Sequence, residues 1–354
     1  MEKVAVIAIT KNGIEIGLSL KKKFPTWEIY APSKFSSSNS QIEWFEDSTT
    51  AKVEELFKKH EALVCIFSLG AVIRLISPHL RDKKTDPAIV VIDDTAKFAI
   101  STLSGHLGGA NQLTEDIAKV LGATAVITTA ADVNKTIAVD LVGKEFSWKI
   151  DDDSTVTKVS ALMVNEEKIG VFQDAGEKDW WTPKKELPKN VIVYNSFEDL
   201  KNSSCKGFLI ISDKTIGDDQ ILKNAVVYRP KTLVVGVGLH WDTTSNTIKD
   251  GLEYCTKNFK LSIKSIARFA SIKKEAQVEG LQILAKEMSV PVDYYEREEL
   301  AQITIPNPSD TVQAFEGTPS VSEAAALRSS KGKLVVEKQK FPPNLTIAIA
   351  RISK

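Results

Sequence analysis

The chain has 354 residues, 46 Lys+Arg against 46 Asp+Glu, and a hydrophobic share of 43%. That length predicts two or three domains, and that apolar share fills real cores and excludes wholesale disorder. Zero net charge argues against a protein held on nucleic acid by a broad positive field, and no stretch approaches the roughly 18 apolar residues of a membrane-spanning helix.

In chain order, Val4–Ile9 reads as the first strand. Its apolar run is too short for a signal-peptide core and lacks a small-residue cleavage site. The serine-rich patch Ser36–Ser40 reads as a loop. Further strands are expected at Leu63–Phe67, Ile89–Ile92, Ala125–Thr128, Val191–Tyr194, Phe208–Ile211, Leu233–Val237 and Thr346–Ala350. Several are continuously apolar, as strands covered on both faces are. Helical spacing appears at Leu113, Ile117, Val120 and Leu121, where Gly122 marks the stop. It recurs at Ile248, Leu252, Cys255 and Phe259, and again from Val278 to Met288.

Boundaries suggest themselves near Ala131–Lys135 and at Tyr228–Lys231. The expectation is a three-domain α/β chain: an N-terminal domain over 1–134, a small α/β middle domain over 135–229 and a C-terminal domain over 230–354. The two outer domains are expected to be three-layer structures with mainly parallel sheets. The three cysteines are far apart, and Cys65 and Cys255 fall inside apolar patterns that predict burial. Without a C-x-x-C, neither a zinc site nor a redox pair is indicated, and a reduced cytoplasmic setting is expected.

Two motif clusters stand out. In the first, Gly70 opens a helix over Ala71–Ile76, where outward N–H groups suit a carboxylate or phosphate. Lys83, Lys84, Thr85 and Asp86 precede the strand Ile89–Ile92, which ends in Asp93 and Asp94, at the edge where such sheets bind ligands. Ser104-Gly105-His106-Leu107-Gly108-Gly109-Ala110-Asn111 then leads into the next helix. His106 is the best acid/base candidate, because only histidine titrates near neutrality unshifted. Each feature has a plainer reading: a tight turn at Gly70, a solvated turn at Asp93-Asp94, a structural cap at His106. Ser104 does not sit in the G-x-S-x-G elbow of a serine hydrolase.

The second cluster begins with Gly236-Val237-Gly238, a weak signal because Trp241 stands where a dinucleotide fingerprint needs its third glycine. Ser271 and Lys273 sit at an expected strand end. Ser320-Val321-Ser322-Glu323 reads first as a capping box opening an alanine-rich helix. Glu323 and Lys338 facing a cleft is the alternative.

The runs Gly70-Ala71-Val72-Ile73-Arg74, Asp82-Lys83-Lys84-Thr85-Asp86-Pro87-Ala88, Val91-Ile92-Asp93 and Leu103 to Asn111 resemble the N-terminal region of the CbiG family of cobalamin-biosynthesis proteins. So do Val235 to Gly238, Ala270 to Lys273 with Glu279-Gly280-Leu281, Glu298-Glu299-Leu300, Pro319 to Ala326 and Ile347 to Arg351 for its C-terminal domain. The chain departs from the family's usual G-I-G-C and basic continuation, carrying Leu239 and His240, so no cysteine role carries over.

The resemblance implies a cobalt-precorrin-5A hydrolase, which opens a δ-lactone on a cobalt tetrapyrrole and releases acetaldehyde. On that reading His106 is the base, with Asp93 or Asp86 as a second proton acceptor. The N–H groups around Gly108 and Gly109 receive the oxyanion. Gly70, Arg74, Lys83, Lys84, Thr85, Ser104, Gly105, Asn111, Gly236, Gly238, Ser271, Lys273, Ser320 and Glu323 complete the binding set. The ligand is expected between the N- and C-terminal domains. No cofactor or protein metal is expected, since the substrate brings its cobalt. Expected partners are the substrate, other enzymes of the pathway and a second copy in a homodimer, with neither nucleic acid nor membrane. Two rivals stay open: a non-catalytic tetrapyrrole carrier, and a nucleotide-dependent enzyme using the Gly236-Val237-Gly238 turn.

Overall fold

The computed structural model describes residues 1, 3–82, 85–130, 136–181 and 186–353. Two compact units emerge, Met1–Leu141 and Val142–Lys354. Lys83 and Lys84, proposed above as cations for the ligand, lie outside the described residues.

In the first unit, β1 (Val4–Ala8), β2 (Glu28–Pro32), β3 (Ile42–Phe45), β4 (Ala62–Ile66), β5 (Ala88–Ile92), β6 (Phe98–Leu103) and β7 (Thr124–Val126) form one sheet. Its order is β3-β2-β1-β4-β5-β6-β7. All neighbours pair parallel except β5 with β6. The continuous apolar run of β1 follows from two-sided burial. Val4, Val6 and Ala8 pack with α1 (Lys11–Lys23) and α4 (Ala110–Leu121), while Ala5 and Ile7 face α2 (Thr49–Lys59) and α3 (Leu69–Ile76). Alternate side chains of a strand point to opposite faces, so helices on both sides demand apolar residues at every position. Thr10 and Ser48 cap α1 and α2, accepting from Gly13 N–H and Ala51 N–H.

The second unit holds two sheets. The middle one has the order β10-β9-β11-β12-β8, where β8 (Lys149–Ile150) runs antiparallel at the edge. Its remaining strands, β9 (Ile169–Gln173), β10 (Val191–Tyr194), β11 (Gly207–Ile211) and β12 (Ala225–Arg229), are parallel. The C-terminal sheet has the order β15-β14-β13-β17-β16. There β13 (Leu233–Leu239), β14 (Ile266–Ile272) and β15 (Val292–Tyr295) are parallel, and β16 (Lys333–Phe341) and β17 (Leu345–Arg351) join antiparallel. The chain is thus mostly parallel α/β as expected, although its last sheet divides evenly. Helices Ser245–Asn258 and Glu279–Glu287 cover one face, and Val321–Ser330 covers the other.

An ion pair with a buried carboxylate links the middle sheet to the C-terminal one. Asp213, just past β11, is fully buried and accepts Arg351 Nε and Nη2, both at 2.7 Å, and the Thr232 hydroxyl at 2.7 Å. Cys65 and Cys255 are buried as predicted, and burial pushes both thiols up to about 12.

The eight predicted strands all form. Among the strands that the sequence reading missed is β6, whose FAISTL is half-exposed and rich in hydroxyls, so neither an apolar run nor a clean alternation announces it. That omission matters for the site.

Candidate active site

The antiparallel pairing of β6 splits the first motif cluster between two edges of the sheet. Gly70 and Arg74 in α3 follow β4, and Asp93 and Asp94 follow β5, so these four share one edge. Because Ile89 pairs with Leu103 and Ile92 with Ala99, the Ser104–Asn111 loop lies at the other edge, beside the turn that enters β5. Five residues of strand, about 16 Å, separate the two groups. Gly70, Arg74 and Asp93 therefore do not join His106.

Asp93 is a turn residue, which corrects its proposed role as a proton acceptor. Its carboxylate accepts from Thr95 N–H at 2.9 Å, Phe98 N–H at 2.6 Å and the Thr95 hydroxyl. Burial opposes its ionisation, but these hydrogen bonds and one from Lys97 N–H outweigh it and hold its pKa below the ordinary aspartate value. Asp86 lies at the histidine's edge of the sheet. Its carboxylate accepts Arg81 N–H at 3.0 and 3.2 Å, and its main-chain carbonyl accepts the Ser104 hydroxyl at 2.9 Å, so it braces the histidine loop. Thr85 bonds back to Asp82 in the same turn.

The loop's own residues lock its shape. Ser104 and Gly109 take left-handed backbones, φ 54° and 84°. A Cβ on Gly108 would stand 2.4 Å from Ser104 Cβ, and one on Gly105 would stand 2.6 Å from Asn111 Oδ1. Gly109 N–H donates to His106 O, Ala110 N–H to Ser104 O and Asn111 N–H to Gly105 O. Asn111 is buried, accepts the Ser101 hydroxyl at 2.6 Å and donates to Thr129 at 3.0 Å. Gly109 N–H is thus engaged and does not serve an oxyanion. Gly108 N–H meets no acceptor among the described residues.

This scaffold presents His106, whose side chain is 17% exposed. Its Nδ1 lies 3.4 Å from Asp140 Oδ1, a carboxylate 19% exposed. Ile137 and Val139 are buried and anchor the segment that carries Asp140. The sequence reading missed Asp140, having placed it past a domain boundary. The available signal was the alternation Ile137, Val139 with a charge directly after it. A carboxylate beside one imidazole nitrogen fixes the ring's tautomer and orientation, as proton-transfer sites require.

In the C-terminal sheet, Gly236 and Gly238 lie inside β13, not in a turn. A Cβ on Gly236 would meet Ser322 O at 1.9 Å, because helix Val321–Ser330 rests directly on the strand. Gly236 is therefore fixed by packing, and the turn on which the nucleotide reading rested does not form. Gly238 nevertheless borders the cavity described next. Ser271 is buried and donates to Val237 O at 2.9 Å, joining two strands. Lys273 is exposed and paired with Glu296. No capping box forms at Ser320. Instead, the buried Glu323 carboxylate accepts Asn307 N–H, the Asn307 side-chain amide and Lys338 N–H, at 3.2, 2.8 and 3.1 Å. Glu323 is therefore a brace inside the domain.

Beside these residues opens a cavity of about 810 Å3. It is bordered by Trp241, Lys274, Glu316, Ser320, Lys338 and Lys340, among others. Leu239 and His240, where the chain departs from the family pattern, also border it. Among the described residues no group of three His, Cys, Asp or Glu is placed to hold a metal, and no helix is long and apolar enough to cross a membrane.

Three α/β sheets and a glycine-bound histidine–aspartate pair define a multidomain α/β protein. The models of the cobalamin synthesis G N-terminal region, the cobalamin biosynthesis central region and the cobalamin synthesis G C-terminus match residues 51–132, 137–230 and 233–350. A cobalt-precorrin-5A hydrolase of Priestia megaterium is 41% identical over 98% of this chain and 94% of its own length. That of Salmonella typhimurium is 28% identical over 95% and 94%. A solved cobalamin biosynthesis protein G homologue from Sulfolobus solfataricus is 22% identical over 99% and 98%, with a TM-score of 0.39. The chain belongs to the CbiG family of cobalamin-biosynthesis proteins.

Proposed function

We propose that this chain is a cobalt-precorrin-5A hydrolase: it opens the substrate's δ-lactone with water and releases acetaldehyde. The observation that carries the reading is the 41% identity to a hydrolase of that name over nearly the whole of both chains. The three family segments also follow one another in order.

His106 is the general base, with Asp140 its positioning partner across 3.4 Å. The Nδ1–H tautomer that this carboxylate favours puts the basic lone pair on Nε2. Water, losing its proton to the imidazole, adds to the lactone carbonyl. The ring C–O bond breaks, leaving a carboxylate and an alcohol. Gly108 N–H is the main-chain donor for the transient oxyanion. Deprotonation of the alcohol then breaks the C–C bond to the macrocycle. Its electron pair enters the conjugated ring, which takes up a proton, and acetaldehyde departs. Cobalt belongs to the substrate throughout.

The test is anaerobic incubation with the lactone-bearing cobalt-precorrin and an acetaldehyde assay. The wild type should release one equivalent per substrate. His106→Ala should lower turnover about 10²–10⁴-fold while retaining the fold. Tight binding of the precorrin with no acetaldehyde from the wild type would make the chain a carrier instead.

A further inference from the structure

We infer that the cavity of the C-terminal domain is a macrocycle-binding site, in which Trp241 supports the conjugated ring while Lys340, Lys338 and Ser320 receive its peripheral carboxylates. This assignment deepens the proposed function and takes its ligand class from it. The cavity's own features select the same chemistry.

Size comes first. A volume of about 810 Å3 lies at the upper end of small-molecule sites. Charge is the second feature. Lys274 is paired with Glu316 at 3.0 Å, so these two compensate each other. Lys338 and Lys340 also border the cavity, and neither forms an ion pair with a carboxylate among the described residues. Among the described residues Lys338 Nζ donates to the Asn307 carbonyl alone. Burial lowers the pKa of Lys338, with Glu323 opposing and Lys340 reinforcing the effect. A second cation beside a partly buried one is an arrangement that an incoming anion relieves.

The third feature is an unmet hydrogen-bonding demand. Ser320 is 1% exposed and borders the cavity, yet its hydroxyl has no partner among the described residues. Buried hydroxyls without partners are rare, and each calls for a reason. A carboxylate oxygen arriving in the cavity supplies one. Ser320 and Val321 also begin a ten-residue helix, whose dipole adds positive potential at that wall. The fourth feature is a flat apolar surface. Trp241 is 49% exposed at the cavity's border, the most exposed of the chain's tryptophans, and Lys274 Nζ lies 5.3 Å from its ring centroid. Exposed aromatic rings serve as stacking platforms for planar conjugated ligands.

Dicyanocobyrinic acid, a corrin with free peripheral carboxylates, and dicyanocobinamide, a corrin bearing amides there, distinguish charge from shape. Each is titrated into the full chain and followed by equilibrium dialysis, read by corrin absorbance, and by tryptophan fluorescence. Cobyrinic acid should bind saturably and about tenfold or more tightly than cobinamide. Lys340→Glu and Trp241→Ala should each weaken it about tenfold or more, and Trp241→Phe should abolish most of the quenching. Both positions are exposed, so unchanged circular dichroism and melting temperature confirm that these variants fold. In turnover, Lys340→Glu should raise KM and leave kcat near the wild-type value. His106→Ala should bind cobyrinic acid as the wild type does.

Folded Lys340→Glu and Trp241→Ala proteins that bind cobyrinic acid with wild-type affinity would overturn the assignment. If the wild type also released acetaldehyde, the hydrolase reading would survive that loss. Conversely, variant-sensitive binding without acetaldehyde release would uphold the cavity and remove the activity. A preference for ATP over cobyrinic acid would likewise overturn it.

Discussion

At the residue scale the site reduces to one imidazole and one carboxylate. In the proposed mechanism Asp140 is not a base: its task is to hold His106 in one tautomer and one orientation. Asp140→Asn keeps the side-chain volume and removes the charge. It should lower kcat about 10- to 1000-fold and leave KM within about threefold, whereas a merely structural role would show as a lowered melting temperature with kcat intact. Steady-state kinetics and calorimetry on one preparation separate the two. The neighbouring glycines owe their place to geometry. Gly108 has no room for a Cβ against Ser104, and Gly109 needs its φ of 84° to turn the chain into α4.

At the scale of elements, the hairpin from β5 to β6 decides which residues can meet. Its turn depends on Asp93, whose folded pKa lies below its unfolded value of about 3.9. The sign follows from linkage. A depressed carboxylate pKa means stability that is present above about pH 4 and lost as pH falls through the folded value. The group is partly exposed and therefore screened, so Asp93→Asn should cost only about 1 kcal/mol at neutral pH. Urea midpoints of the two proteins should converge below about pH 4, and a constant gap across that range would refute the account. In the C-terminal sheet the contact between β13 and helix Val321–Ser330 is closer still. A methyl group on Gly236 meets the Ser322 carbonyl at 1.9 Å and Ala326 N at 2.7 Å, both main-chain atoms. Gly236→Ala should destabilise by about 2–3 kcal/mol, measured by chemical denaturation.

For the molecule as a whole, the two sheets of the second unit share a buried carboxylate. Asp213 receives both arms of Arg351 and the Thr232 hydroxyl, all at 2.7 Å. Removing it takes the partner from Arg351, whose side chain is 31% exposed and so partly hydrated, and leaves the Thr232 hydroxyl without its acceptor. Asp213→Ala should cost about 1–2 kcal/mol and divide a single unfolding transition of this unit into two, seen by calorimetry. A single transition at an unchanged midpoint would show that the apolar contacts alone unite the sheets.

The sequence alone determined the layering, the family and the histidine. Short continuous apolar runs such as Val4–Ala8 read as strands covered on both faces, and a histidine among three glycines points to a shaped loop before a helix. It did not determine which of these elements share an edge. A short strand half exposed to solvent, Phe98–Leu103, carries too little apolar contrast to be seen, yet its reversed direction sends Asp93 and Arg74 to the edge opposite His106. Asp140 came to the histidine, and Gly236 was buried beneath a helix, through contacts between residues distant in sequence. Such contacts are set by strand direction and packing distance, which no local pattern encodes; only the tertiary structure decided them.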